Sequence, residues 1–90
     1  MKTETITVNG KDAQFSFFND SHSRYLHFEL SEKQFKEYED VIECIVNNSI
    51  TPGDSIIFFF RGESIIAEIF SFQITSRIDS FFEISISLHE

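Results

Sequence analysis

Ser55-Ile56-Ile57-Phe58-Phe59-Phe60-Arg61 is apolar on both faces of an extended chain up to Phe60. Gly62-Glu63 reads as a turn. Ser64 to Thr75 then reads as a long, partly two-sided strand, with Phe70, Phe72 and Ile74 on one face. Alternate side chains of a strand point to opposite faces, so residues apolar in both sets mark a strand covered on both sides. This stretch makes the chain strand-rich and places the first of the two strands in the middle of a sheet.

Working outward, Ser76 to Ser80 reads as a turn without Gly or Pro. Phe82, Ile84, Ile86 and Leu88 then line one face of a last strand, with Glu83, Ser85, Ser87 and His89 on the other. Upstream, Glu4, Ile6 and Val8 alternate with Thr3, Thr5 and Thr7. Asn9-Gly10 follows, a pair that accepts the positive φ of a tight hairpin. Ala13, Phe15 and Phe17 share one face of the returning strand. After the polar loop Asn19 to Ser23, Leu26, Phe28 and Leu30 share one face of a third strand.

Ser31-Glu32-Lys33-Gln34 fits a capping box, in which Ser31 accepts from the Gln34 amide while Gln34 reaches back. A helix is expected from Glu32 to about Asn48. At 100° per residue, Phe35, Tyr38, Ile42, Ile45 and Val46 form its apolar stripe, flanked by Val41. Lys33, Lys36, Glu37, Asp40, Glu43, Cys44 and Asn47 fall opposite, with Cys44 at the centre of the polar face. Asn47-Asn48 and Pro52-Gly53 stop it.

The order is β-β-β-α-β-β-β. It predicts one α+β domain over residues 1–90, a mainly antiparallel sheet with a single helix packed on one face. Six strands at about 4.8 Å span about 29 Å, whereas a helix is about 10 Å across. The sheet could curl into a barrel-like form, or the first hairpin could fold over it. The expectation adopted is a free apolar face buried against another chain, as in a homodimer.

Composition excludes several classes. Ninety residues carry a net charge of -8, with twelve Phe and 41% hydrophobic residues. That content of aromatics excludes a disordered acidic tail. One Cys excludes an internal disulfide framework. The start Met1-Lys2-Thr3-Glu4 lacks the apolar core of a secretory signal, and no apolar run approaches the length of a membrane helix. The expected location is cytoplasmic, without membrane contact. Fifteen acidic residues against seven basic ones repel phosphate, so direct nucleic-acid binding is not expected. Phe58, Phe60, Phe70 and Phe72 could form a base-stacking platform, but they lack the positive charge such platforms use.

Catalysis is not expected either. Asp20, His22, His27 and Glu29 have ligand chemistry, yet His22 has the wrong parity to share a strand face with His27. No metal and no cofactor is expected. Cys44, beside Glu37, Asp40 and Glu43, sits in a negative field that disfavours thiolate. No nucleotide-binding loop, nucleophile elbow or zinc-protease motif occurs.

The acidic helix face remains. Glu37, Glu39, Asp40 and Glu43, with Cys44 among them, are the expected partner-binding residues. Such a surface suits a basic protein, because opposed potentials steer association. The expectation is a stoichiometric inhibitor or immunity-type protein that occupies the nucleic-acid site of its partner by charge mimicry. Small bacterial immunity proteins and phage inhibitors of nucleases share this character in charge and size alone. The competing reading is a homo-oligomeric structural or adaptor module that associates through its apolar sheet face.

Overall fold

The Asn9-Gly10 turn forms as its residue types require. Its φ angles are 49° and 83°, and it joins β1 (Thr3–Val8) to β2 (Lys11–Phe17). β3 (Tyr25–Ser31) follows. Two helices come next, α1 (Glu32–Glu37) and α2 (Glu39–Ile50). The chain ends in β4 (Ile56–Phe60), β5 (Glu63–Ser76) and β6 (Phe81–His89). The turn between β4 and β5 is Arg61-Gly62, with φ of 51° and 82°. The structure, a computed structural model, describes residues 3–77 and 80–89. Met1 and Lys2 of the expected non-signal start, and Ile78 and Asp79 of the turn expected at 76–80, lie outside the described residues.

The sheet closes on itself. Its order is β1-β2-β3-β6-β5-β4, with β4 returning to pair antiparallel with β1. Ile6 lies opposite Phe60, Thr7 opposite Phe59 and Val8 opposite Phe58. Asn9 pins this seam twice: its N–H donates to the Ile57 carbonyl at 2.7 Å, and its Oδ1 accepts from the Ile57 N–H at 2.9 Å. The expected open sheet with one helix on a face is therefore corrected to a closed six-stranded antiparallel barrel. The physical reason is that a coiled sheet covers itself. Width counted on a flat sheet overstates how much helix is needed.

Closure covers one face of the two-faced strands and leaves the other outside. In β5 the register slips between Ile69 and Ser71, which leaves Phe70 as a bulge. The extra residue inverts the parity. Ala67 and Ile69 turn inward before it, opposite Ile56 and Leu88, and Phe72 and Ile74 lie opposite the buried Ile86 and Ile84 after it. Phe70 does not share their face; it is 77% exposed. β5 thus has a step in it, and Ile66, opposite Ile57, remains an outward apolar residue, 65% exposed. β4 is not sandwiched, since Phe58 and Phe60 are buried while Ile57 and Phe59 face outward and are half-exposed.

The core is the barrel interior plus one side of α2. Phe15 and Phe28 are buried and stacked, 4.6 Å between centroids and 15° between planes. Phe17 meets Phe60 across the interior at 4.4 Å. Such aromatic pairs contribute about 0.5–1.5 kcal/mol each beyond their area. Val41, Ile42 and Ile45 of α2 join this cluster. Two of the Phe residues considered and set aside for base stacking, Phe58 and Phe60, are part of this core.

The expected single helix from Glu32 to Asn48 is also corrected. It breaks at Tyr38, whose φ and ψ are -108° and 31°, and it runs on to Ile50. Among the described residues, no helix is long and apolar enough to cross a membrane.

Candidate functional site

The break at Tyr38 organises the acidic surface. The capping box at the start of α1 is present: Gln34 N–H donates to Ser31 Oγ at 3.2 Å, and Ser31 N–H donates to Gln34 Oε1 at 2.9 Å. Gln34 Nε2 also donates to the Gln14 carbonyl of β2 at 3.2 Å, which ties α1 to the barrel wall. Phe35 packs against Phe82 of β6 at 4.8 Å. Tyr38 then meets Phe15 edge-on, 5.4 Å between centroids at 80°. Its N–H closes α1 on the Gln34 carbonyl, and its carbonyl receives the Ile42 N–H that opens α2. Glu39 and Asp40 fall in the first turn of α2, where the helix dipole favours negative charge.

This geometry brings Glu37, Glu39, Asp40 and Glu43 around one shallow depression that also includes Lys36. All four carboxylates are exposed. Lys11 Nζ approaches Asp40 Oδ2 at 3.8 Å with both side chains about half-exposed or more, a contact that contributes little. A second, larger groove of about 450 Å³ adjoins the first. Phe35, Ile42 and Val46 supply its apolar lining, and Lys36, Glu39, Glu43 and Asn47 its polar members. Lys36, Glu39 and Glu43 belong to both, so the carboxylates form the wall between an apolar groove and open solvent.

Of the five expected partner-binding residues, the structure brings together Glu37, Glu39, Asp40 and Glu43. Cys44 is elsewhere. It is half-buried and packs against the core, not at the centre of the polar face. The helix is not continuous through Tyr38, so a single projection carried from Phe35 misplaces Cys44. Ile42 is buried in the core as expected and meets the groove only at its floor, whereas Phe35 and Val46 pack against the core but stay partly open to the groove. The signal that marks the break is Tyr38-Glu39-Asp40, where Asp is a poor interior residue and a good first-turn residue.

Asp20, His22, His27 and Glu29 do not converge. His27 sits on the outer face of the wall with Asp20 oxygens 3.0 and 3.1 Å from Nδ1 and Glu83 Oε1 2.6 Å from Nε2. Both ring nitrogens thus face carboxylates. Burial pushes the imidazole pKa down, but the hydrogen bonds and charges of Glu83 and Asp20 together outweigh it, and the net shift is upward from 6.5. The ring also stacks on Phe18 at 4.1 Å. His22 instead accepts from the Arg24 N–H at 3.2 Å, and Glu29 accepts from Arg77 Nη1 at 2.8 Å. The arrangement is a charged staple between β3, β6 and the loop that carries Asp20.

The fold and its surface define a small antiparallel barrel with a broken, acidic helical crossover. Compared with models of known families, with curated proteins and with solved structures, the chain matches none of them.

Proposed function

We propose that this protein is a binding module for a basic partner protein, and that it blocks the partner's nucleic-acid site. The contact surface is the break between α1 and α2. The observation that carries this reading is the continuity of the apolar groove with the carboxylate cluster through Lys36, Glu39 and Glu43. An acidic face alone is satisfied by water. An apolar groove walled by carboxylates fits a protein segment that presents an apolar side chain beside Lys or Arg, since burial supplies affinity and charge supplies orientation and rate. The net charge of -8 adds a long-range field of the same sign.

The test is affinity capture from the native cell with the wild-type chain and with Glu37→Lys/Glu43→Lys. Glu39 and Asp40 are left intact because their charge supports the start of α2. The expected result is a basic nucleic-acid-handling protein retained by the wild type, with its nucleic-acid binding inhibited at equimolar ratio. The double variant should associate at least about tenfold more slowly at low salt. Val46→Asp should weaken binding at every salt concentration. A partner that binds wild type and both variants equally overturns the assignment.

A further inference from the structure

The barrel is closed, but β5 outruns its neighbour. β4 pairs with β5 only from Phe60–Glu63 to Ile56–Ala67, whereas β5 continues along β6 as far as Ser76. The direction of its backbone groups follows from two hydrogen bonds. Leu88 N–H donates to the Arg24 carbonyl at 2.9 Å, and Arg77 N–H donates to the Phe81 carbonyl at 2.8 Å. Bonding direction alternates along an antiparallel ladder. The backbones of Ser71, Gln73 and Thr75 therefore bond to β6, opposite Ser87, Ser85 and Glu83. Those of Phe72, Ile74 and Ser76 point away from it. Among the described residues, no strand pairs with this side. α2 contacts β5, yet Ile74 remains 41% exposed.

The composition of this edge is unusual for the chain. Ile69-Phe70-Ser71-Phe72-Gln73-Ile74-Thr75-Ser76 carries no charge and no Pro, in a protein of net charge -8. Free edges are ordinarily blunted with Lys or Pro. The acidic charge elsewhere repels a second copy, and this uncharged edge does not. Antiparallel edge pairing is also self-complementary about a two-fold axis, the commonest symmetry of homo-oligomers. We infer that two copies of this chain pair through the free edge of β5, with the two-fold axis at Ile74. In that register Ile74 exchanges both backbone bonds with Ile74 of the partner subunit, and Phe72 does so with Ser76 of the partner subunit. The interface is thus a hydrogen-bonded edge, not an apolar sheet face, and it is independent of the α1–α2 surface.

Sedimentation velocity of the full chain from about 1 to about 300 µM tests this. The expected result is a monomer–dimer equilibrium that persists or strengthens in 1 M NaCl, because screening removes like-charge repulsion. Hydrogen exchange on the wild type should show the Phe72, Ile74 and Ser76 amides becoming protected as concentration rises. Ile74→Pro removes an N–H that points away from β6, at an edge position that tolerates Pro, and replaces a side chain that is already 41% exposed. It should keep the circular dichroism spectrum and raise the dimer dissociation constant at least about tenfold. A monomer at all concentrations overturns the inference. So does a dimer that leaves those three amides unprotected, or one that survives Ile74→Pro. Edge amides protected only on addition of another protein would assign the edge to a foreign strand, and would overturn self-pairing as well.

Discussion

A disulfide across the β1–β4 seam should form in the folded chain and stabilise it strongly. The perturbation is Thr7→Cys with Phe59→Cys, in a Cys44→Ser background. Thr7 and Phe59 are opposed in the register. Because the Asn9 N–H bonds to the Ile57 carbonyl, the alternating ladder makes Thr7–Phe59 a hydrogen-bonded pair as well. Such pairs hold their Cα atoms about 5.5 Å apart, within the range of about 4.4–6.8 Å that a disulfide bridges. Their Cβ atoms, however, lie about 5 Å apart, wider than the about 3.8 Å a relaxed bridge prefers, so closing it draws the strands together and offsets part of the gain. Both side chains lie on the outer wall, so the bridge displaces no core residue. The closed loop from position 7 to 59 is about 53 residues, and the chain-entropy relation gives about 4 kcal/mol. With a urea slope of about 1–2 kcal/mol per M, the midpoint should rise on oxidation by at most about 2–4 M, less whatever strain the bridge stores. The comparison is made within one variant, with and without reductant. Loss of the Thr7 Oγ1 to Asp12 hydrogen bond therefore cancels. Mass spectrometry reads bridge formation, and urea denaturation reads its effect. In an open sheet β1 and β4 are not neighbours. Two free thiols after oxidation of the folded protein would refute the closed barrel.

Other expectations concern the core, the cap and the charged staple. Phe15→Ala removes a fully buried ring stacked on Phe28 and met by Tyr38. It should cost about 3–5 kcal/mol by urea denaturation, a large share of the about 4–13 kcal/mol expected for a chain of this size. Ser31→Ala removes the acceptor for the Gln34 N–H and should cost about 1 kcal/mol in the same assay; no loss would show that α1 does not depend on its cap. His27 is held above its ordinary value of 6.5 in the fold by Glu83 and Asp20. Its stabilisation is complete below the unfolded value and is lost as pH rises through the folded one. This contribution to stability should therefore fall as pH rises above about 6.5, and His27→Gln should flatten that fall. An imidazole titration by NMR centred below 6.5 would contradict it.

Local features were legible in the sequence because local chemistry causes them. Asn9-Gly10 accepts positive φ whatever surrounds it, and Ser31 with Gln34 can satisfy a helix start alone. The alternation of Leu26, Phe28 and Leu30, or of Ile84, Ile86 and Leu88, assigns faces without reference to other strands. The carboxylates of the proposed site were legible for the same reason, since Glu37, Glu39, Asp40 and Glu43 are near neighbours in sequence. Phe35, Ile42 and Val46 were legible as an apolar stripe but not as a groove. Whether a stripe is covered depends on what lies opposite it.

The elements and their polarity follow from the sequence alone: paired alternating strands, a capped helix start and a net charge of -8. Three features arise only in the folded chain. Seam pairing between β1 and β4 closed the sheet, which needs contacts some fifty residues apart that no local pattern encodes. The bulge at Phe70 inverted the faces of β5, which depends on its register with β6. The contact of Tyr38 with Phe15 accompanies the break in the helix and the turning of Cys44 toward the core. Each depends on packing between segments distant in sequence, where burial and register outweigh local preference.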